Sequence, residues 1–404
     1  MDSRQQDSAL RRFWDALPVD GRGLLAPADP AARRLIAFVT RHRLRSVPRV
    51  VRPVVVAVSR LLWCLKAASM VRVAARKFGF RARESLRQYA DACLFGLHPR
   101  DSYAWRRTLA ERRPVSTRAF WQIQSAVGNP DQPAVLADKL ATEAALQKVG
   151  VATPRLLAVI PAGTEAPALP AEGSEMFVKP RSGRRSQNAF SVLRLAPDGY
   201  WIDGARRDQA YATARLRDAA ANDALLVQQR LAGVPELADL GTKDGAPPVL
   251  RLMTACEPGG APFLHSGSFS IVVPGEKRGH PLRDTLRVPV EIATGSLLAG
   301  YWLGAPRKRF ATSPWHGDAP IAGRMLPGFA AAAHAVETAA RAFPGLPLIG
   351  WDVILTPDGP VILEGNSGSD YLIVRWMGEG APGAVPLMHL FARWAAARSD
   401  RRQG

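Results

Sequence analysis

Ile349-Gly-Trp-Asp-Val-Ile-Leu-Thr-Pro-Asp-Gly-Pro-Val-Ile-Leu-Glu-Gly-Asn366 decides the fold of this chain. Apolar runs at 351–355 and 360–363 flank Thr356-Pro-Asp-Gly359, the composition of a β-hairpin with a tight turn. Side chains alternate along a strand, so Glu364 and Asn366 share a face, and pairing carries Asp352 level with them. Three oxygen-bearing side chains then meet at one end of an apolar ribbon. Such a set suits Mg2+, which takes a few hard oxygen ligands and leaves other positions to water and phosphate. It equally suits a hairpin whose Asp and Asn serve turns, and geometry alone leaves both readings open.

The chain around this hairpin has 404 residues, enough for two or more domains with real cores. Its 47% apolar and 22% charged content is that of a soluble globular protein. Cys64, Cys93 and Cys256 are scattered and form no CxxC pair. Neither a disulfide framework nor a zinc site is indicated, and a reducing, cytoplasmic setting fits. The N-terminus lacks the layout of a signal peptide, and the apolar run at 53–65 is interrupted by Arg60 and reads as too short to span a bilayer.

The net charge of +19 is concentrated near the start: residues 1–130 hold 25 Lys and Arg against 9 Asp and Glu. The arginines punctuate helical patterns, and residues 50–80 read as an amphipathic helix pair with a cationic face. Such a face can be simply solvated, can lie on the inner surface of a membrane, or can meet nucleic acid. The absence of a zinc finger, an RNP-type aromatic motif and a basic zipper speaks against nucleic acid.

Residues 81–99 continue the helical region, and Gly128-Asn-Pro130 marks its end. The texture then becomes α/β. Asp138 reads as the N-cap of a helix running to Val149, with Gly150 closing it. Strands are predicted at 156–160, 176–180, 189–195, 225–229, 249–255 and 265–273, and a helix at 329–343 feeds the hairpin.

These segments carry a resemblance. Asp138-Lys-Leu140 with its helix, Gly150-Val-Ala-Thr-Pro154, Phe177-Val-Lys-Pro180, Leu226-Val-Gln-Gln-Arg-Leu231 and Trp351-Asp352 with Glu364-Gly-Asn366 follow one another as in ATP-grasp enzymes. Phe95-Gly-Leu97, Val249-Leu-Arg-Leu-Met-Thr254 and Leu348-Ile-Gly-Trp-Asp352 resemble the sugar-transfer-associated branch of that superfamily, over roughly residues 85–395. The resemblance implies an α/β (α+β) fold of two lobes with nucleotide between them, behind a basic helical N-terminal region. The divisions are then 1–130 for that region, 131–228 for the N-terminal lobe, 229–395 for the C-terminal lobe and 396–404 for a tail.

Lys139 and Lys179 would meet polyphosphate oxygens as point charges, and Arg251 would stabilise charge on the transferred group or form a structural ion pair. Gln228, Gln229 and Leu231 would form the hinge whose backbone reads adenine, and Glu236 would bind the ribose. Asp352, Glu364 and Asn366 would hold Mg2+. The loop 181–187 departs from the family pattern, having one glycine and three arginines where several glycines usually close over the phosphates.

The implied activity is an ATP-dependent carboxylate–amine ligase that forms an amide through an acyl-phosphate and releases ADP and phosphate. Its substrates would be a small-molecule carboxylate and an amine (or hydroxyl) acceptor, in specialised-metabolite or cell-surface glycan modification. The alternatives are a phosphotransferase on the same fold and a non-catalytic nucleotide-binding protein.

Overall fold

A computed structural model describes residues 23–99, 101–103, 115–165, 175–182, 189–195, 199–202, 205–241, 246–274, 285–302, 308–368 and 385–400. The chain begins with helices α1 (Pro30–Arg43), α2 (Arg52–Phe78), α3 (Ala82–Phe95) and α4 (Thr117–Val127). Asp29 caps α1 by accepting from the Ala31 amide at 2.7 Å, and Pro30 occupies the first helical turn, where no N–H is needed. Residues 50–80 hold one helix rather than the expected pair, because nothing between Arg52 and Phe78 breaks the ladder. Its stretch Arg52–Arg76, about twice as long as the apolar run at 53–65, is long and apolar enough to cross a bilayer by length and composition.

Two short helices follow, α5 (Gln132–Ala137) and α6 (Lys139–Lys148). Asp138 caps α6 through the Leu140 and Ala141 amides. Next come strands β1 (Leu156–Ile160), β2 (Glu175–Pro180), β3 (Phe190–Leu195), β4 (Gly199–Ile202) and β5 (Ala205–Asp208), then α7 (Gln209–Ala220) and β6 (Leu225–Gln229). Among the described residues they form an antiparallel sheet in the order β1-β6-β2-β3-β4-β5, and α7 completes its core.

After a 3₁₀ turn at Pro235–Leu240, a second antiparallel sheet is built from β7 (Val249–Cys256), β8 (Pro262–Val272), β9 (Thr285–Val290), β10 (Gly300–Tyr301) and β11 (Arg309–Phe310). A small ribbon, β12 (Thr312–Ser313) with β13 (Ala319–Pro320), and helix α8 (Phe329–Arg341) lead to β14 (Leu348–Thr356) and β15 (Gly359–Asn366). The sheet order is β11-β10-β9-β8-β7-β14-β15. The last element is α9 (Leu387–Asp400), so residues 396–400 are helix rather than tail, and 401–404 lie outside the described residues.

The hairpin is the predicted one, with Thr356 opposite Gly359 across a two-residue turn and Gly359 at φ 118°. Each face of β14 has its own cover. Ile349, Trp351, Val353 and Leu355 point into a core shared with α8, where Trp351 is fully buried and its Nε1 donates to Thr254 Oγ1 at 2.9 Å. Leu348, with Met253 and Ala255 of β7, lies on the opposite face under α1, α4 and α9. Phe120 and Phe391 meet there with ring centroids 5.4 Å apart, and Gln124 Nε2 donates to the Leu348 carbonyl at 2.8 Å. The helical cover is therefore drawn from both ends of the chain, not from residues 1–130 alone.

Packing also moves the lobe boundary. Leu136 of α5 and Leu146 of α6 belong to the core of the second sheet, and both helices touch β15. The first lobe accordingly starts at β1 rather than at residue 131, because the residues that bury α5 and α6 come from the second sheet.

Candidate active site

The cleft lies where β2 and β6 of the first lobe face α6 and β15 of the second. Its lining includes Lys139, Glu143, Lys179, Gln228, Leu363 and Glu364, which close tightly on one another.

Register builds the floor. Asp352 on β14 pairs with Glu364 on one side and Arg251 on the other, and Arg251 pairs with Ser268 of β8. Opposite residues in an antiparallel sheet point to the same face, so one row across four strands reads Ser268, Arg251, Asp352, Glu364. Asn366 shares this face one step further along, opposite Gly350. The Arg251 guanidinium grips both Asp352 oxygens in a fork, with Nη2 donating to Oδ2 at 2.7 Å and Nε to Oδ1. Asn366 Nδ2 donates to Glu364 Oε1 at 3.2 Å. Gly365 between the two ligand candidates cannot carry a side chain: a Cβ would lie 2.7 Å from both Leu136 and Trp351.

A bulge shapes the edge of this floor. The ladder passes from Asp352–Glu364 to Val353–Ile362, leaving Leu363 without a partner residue. Lys179, at the end of β2 and only 8% exposed, donates its ammonium to the Leu363 carbonyl at 3.2 Å across the cleft. Burial pushes Lys179 down to about 8, against the pull of Glu364. Burial also pushes Glu364 upward, and the neighbouring Asp352 carboxylate adds to that. Lys139 is lowered by burial and partly restored by Glu364.

Sequence reasoning missed Glu143. It is buried, burial raises its pKa, and it accepts from the Gln228 side chain at 3.1 Å. The available signal was its place one helical turn after Lys139, which puts both on one face of α6. Asp138 does more than cap α6: it accepts a two-pronged contact from Arg181, which follows β2, at 2.9 and 2.5 Å. The Arg181 hydrogen bond holds the Asp138 carboxyl below its usual range. Arg184 and Arg185 of the same loop lie outside the described residues.

The remaining expectations fare differently. Gln228 is buried in the middle of the sheet between β1 and β2, and the Gln229 and Arg230 amides already bond the Arg155 and Glu175 carbonyls. The backbone groups assigned to adenine at Gln228 and Gln229 are thus largely spent inside the sheet, and Leu231 is the first residue past these pairings. Glu236 is exposed on the 3₁₀ turn, where its carbonyl accepts from Arg324, and it is not among the cleft residues.

Among the described residues no group of three or more His, Cys, Asp and Glu side chains is arranged to hold a metal ion. Asp352, Glu364 and Asn366 supply two carboxylates and an amide, a hard-oxygen set of the kind Mg2+ takes when phosphate completes its shell. Two carboxylates in adjacent register, one of them raised by burial and by the other, form a place where a divalent cation would relieve the repulsion. Ser268 Oγ, in the same row, is buried without a hydrogen-bond partner among the described residues. The residues fit such a group.

The chain has partial structural likeness to several ligases. An L-amino acid ligase from Bacillus licheniformis is 14% identical, with a TM-score of 0.38 over 64% of this chain and 47% of that one. The D-alanine–D-alanine ligase from Coxiella burnetii is 13% identical, with a TM-score of 0.39 over 68% and 61%. The D-alanine–D-alanine ligase from Bacillus anthracis complexed with ATP is 11% identical, with a TM-score of 0.40 over 69% and 71%. The chain thus spans about half the length of the first and three-fifths of the second. No protein-family model matches the chain, and no curated protein matches it.

Proposed function

We propose that this chain is an ATP-grasp ligase, joining a small-molecule carboxylate to an amine at the expense of ATP in the cytoplasm. One observation carries the reading: the Arg251–Asp352–Glu364 row with Asn366 faces a buried lysine brought from the other lobe. Hard oxygen donors on one wall and an ammonium on the other form the surroundings that a metal-bound polyphosphate requires. The sequence motifs in family order support the same reading.

Lys179 and Lys139 would hold phosphate oxygens, and Asp352, Glu364 and Asn366 would hold Mg2+. When bound, ATP supplies the phosphoryl group that activates a carboxylate, and Mg2+ neutralises charge on the phosphates. Arg251 fixes the Asp352 carboxylate, and its guanidinium would stabilise charge on the transferred group. Glu143, buried against Gln228, balances the charge of Lys179 from the α6 side. The amine attacks the activated acyl carbon, loses a proton and expels phosphate, so no enzyme nucleophile is required.

The test is a screen of amino acids and sugar acids, singly and in pairs, for release of ADP and phosphate, with products weighed by mass spectrometry. Ligation predicts phosphate release that depends on both an acid and an amine, and a product lighter than their sum by one water. ADP release with a phosphorylated product and no need for an amine would replace the ligase by a phosphotransferase.

A further inference from the structure

We infer that the exposed apolar face of α2 is a docking surface for an anionic membrane, on which the helix lies flat. Val54, Val58, Leu61 and Leu65 are 61, 49, 64 and 60% exposed. Their spacing of four, three and four residues places them in a single stripe along the helix. Two turns further on, the same stripe carries Arg72 and Arg76, both exposed.

The opposite face of α2 is already satisfied. Trp63, Ala67, Val71 and Ala74 are buried, and Trp63 Nε1 donates to the Ala92 carbonyl of α3 at 2.8 Å. The exposed stripe is therefore not the face that holds α2 to its own protein. A row of large aliphatic side chains in water is costly at about 25 cal/mol per Å² of apolar surface, and a soluble helix normally turns that row inward.

Charge selects the occupant. No acidic residue occurs between Val50 and Phe80, where the sequence has Arg52, Arg60, Lys66, Arg72, Arg76 and Lys77. An apolar stripe continued by arginines on a helix without carboxylates matches an anionic lipid surface: aliphatic side chains enter the acyl boundary and guanidinium groups meet lipid phosphates. Trp63 ties α2 to α3, which carries Arg83, Glu84, Arg87 and Asp91, and a helix paired with so charged a neighbour favours the plane of the interface over a crossing. The inference is independent of the cleft, and the test uses no nucleotide.

The full chain is mixed with vesicles of phosphatidylcholine alone or with about one-third phosphatidylglycerol, and pelleted at about 0.05 M and 0.5 M salt. The expected result is pelleting with the anionic vesicles at low salt and its loss at high salt. Val58→Glu/Leu61→Glu and Arg72→Glu/Arg76→Glu change only exposed positions, so circular dichroism should be unaltered, while each reduces partitioning about tenfold or more. Four outcomes overturn the inference: no pelleting of the wild type at low salt, equal pelleting with neutral vesicles, a Val58→Glu/Leu61→Glu variant that still binds, or protein retained after an alkaline carbonate wash. A dimer in sedimentation velocity that Leu61→Glu dissolves, without vesicle binding, would assign the stripe to a second copy of the chain instead.

Discussion

The two sheets that meet at the cleft hold their charged side chains in different ways. The strands of the second lobe satisfy their carboxylates at home, Asp352 with Arg251 and Glu364 with Asn366, all on one sheet. The first lobe satisfies its cations abroad, Lys179 on the Leu363 carbonyl and Arg181 on Asp138. Register fixes the first arrangement whether or not a ligand is present. The second is a set of contacts between lobes, which polyphosphate oxygens can replace one for one. On the proposed function, one wall would be preorganised for a metal and the other would serve as a clasp.

The largest effect should come from the preorganised wall. Glu364→Gln keeps the shape of the side chain and removes the charge, so ATP turnover should fall ~10²-fold or more. Burial and Asp352 both raise the Glu364 pKa, so its charge is unfavourable to the folded state and the variant should melt no lower than wild type. Turnover at the wild-type rate in both Glu364→Gln and Asn366→Ala would remove the metal role from this wall.

The clasp should respond through affinity. Lys179→Met retains the stem and loses the ammonium, so ATP binding measured by calorimetry should weaken by about 1.5–3 kcal/mol. The same residue gives a pH signature. Its proton leaves near pH 8 in the folded chain, against an ordinary lysine value of 10.5. Between those values the unfolded state binds the extra proton, so this residue makes wild-type stability rise with pH through that window. Urea midpoints recorded across the window should show the rise in wild type and its loss in Lys179→Met.

How much of this was legible depended on whether the cause was local. The hairpin, the strand at 225–229 and the Asp138 cap follow from alternation, turn composition and a short polar residue before a helical run, and all are present in the structure. The Arg251–Asp352–Glu364 row needed the pairing of β14 with β7, which joins residues about a hundred positions apart and leaves no mark in either strand alone. The bulge at Leu363 alters pairing, not composition, so the carbonyl that receives Lys179 was invisible. Gln228 was read for its backbone and is used through its side chain, because the central place of β6 consumes the backbone. The expectation of two helices in 50–80 came from arginines that interrupt the apolar pattern; on an exposed helix face an arginine costs the ladder nothing.

The smallest effect separates the clasp from the cap. Asp138 serves both, accepting from the Leu140 and Ala141 amides and from Arg181. Asp138→Ala should cost about 1 kcal/mol through the lost cap. Asp138→Asn retains an acceptor for the amides but gives up the charge that Arg181 faces. Arg181→Ala leaves the cap untouched, and because Arg181 is exposed its own contact is screened by water, so stability should not change. If the Arg181 contact closes the cleft, Asp138→Asn and Arg181→Ala should both admit ATP faster in stopped-flow binding while melting within about 0.5 kcal/mol of wild type. Association rates equal to wild type in both would leave Lys179 as the one clasp contact among the described residues of the first lobe.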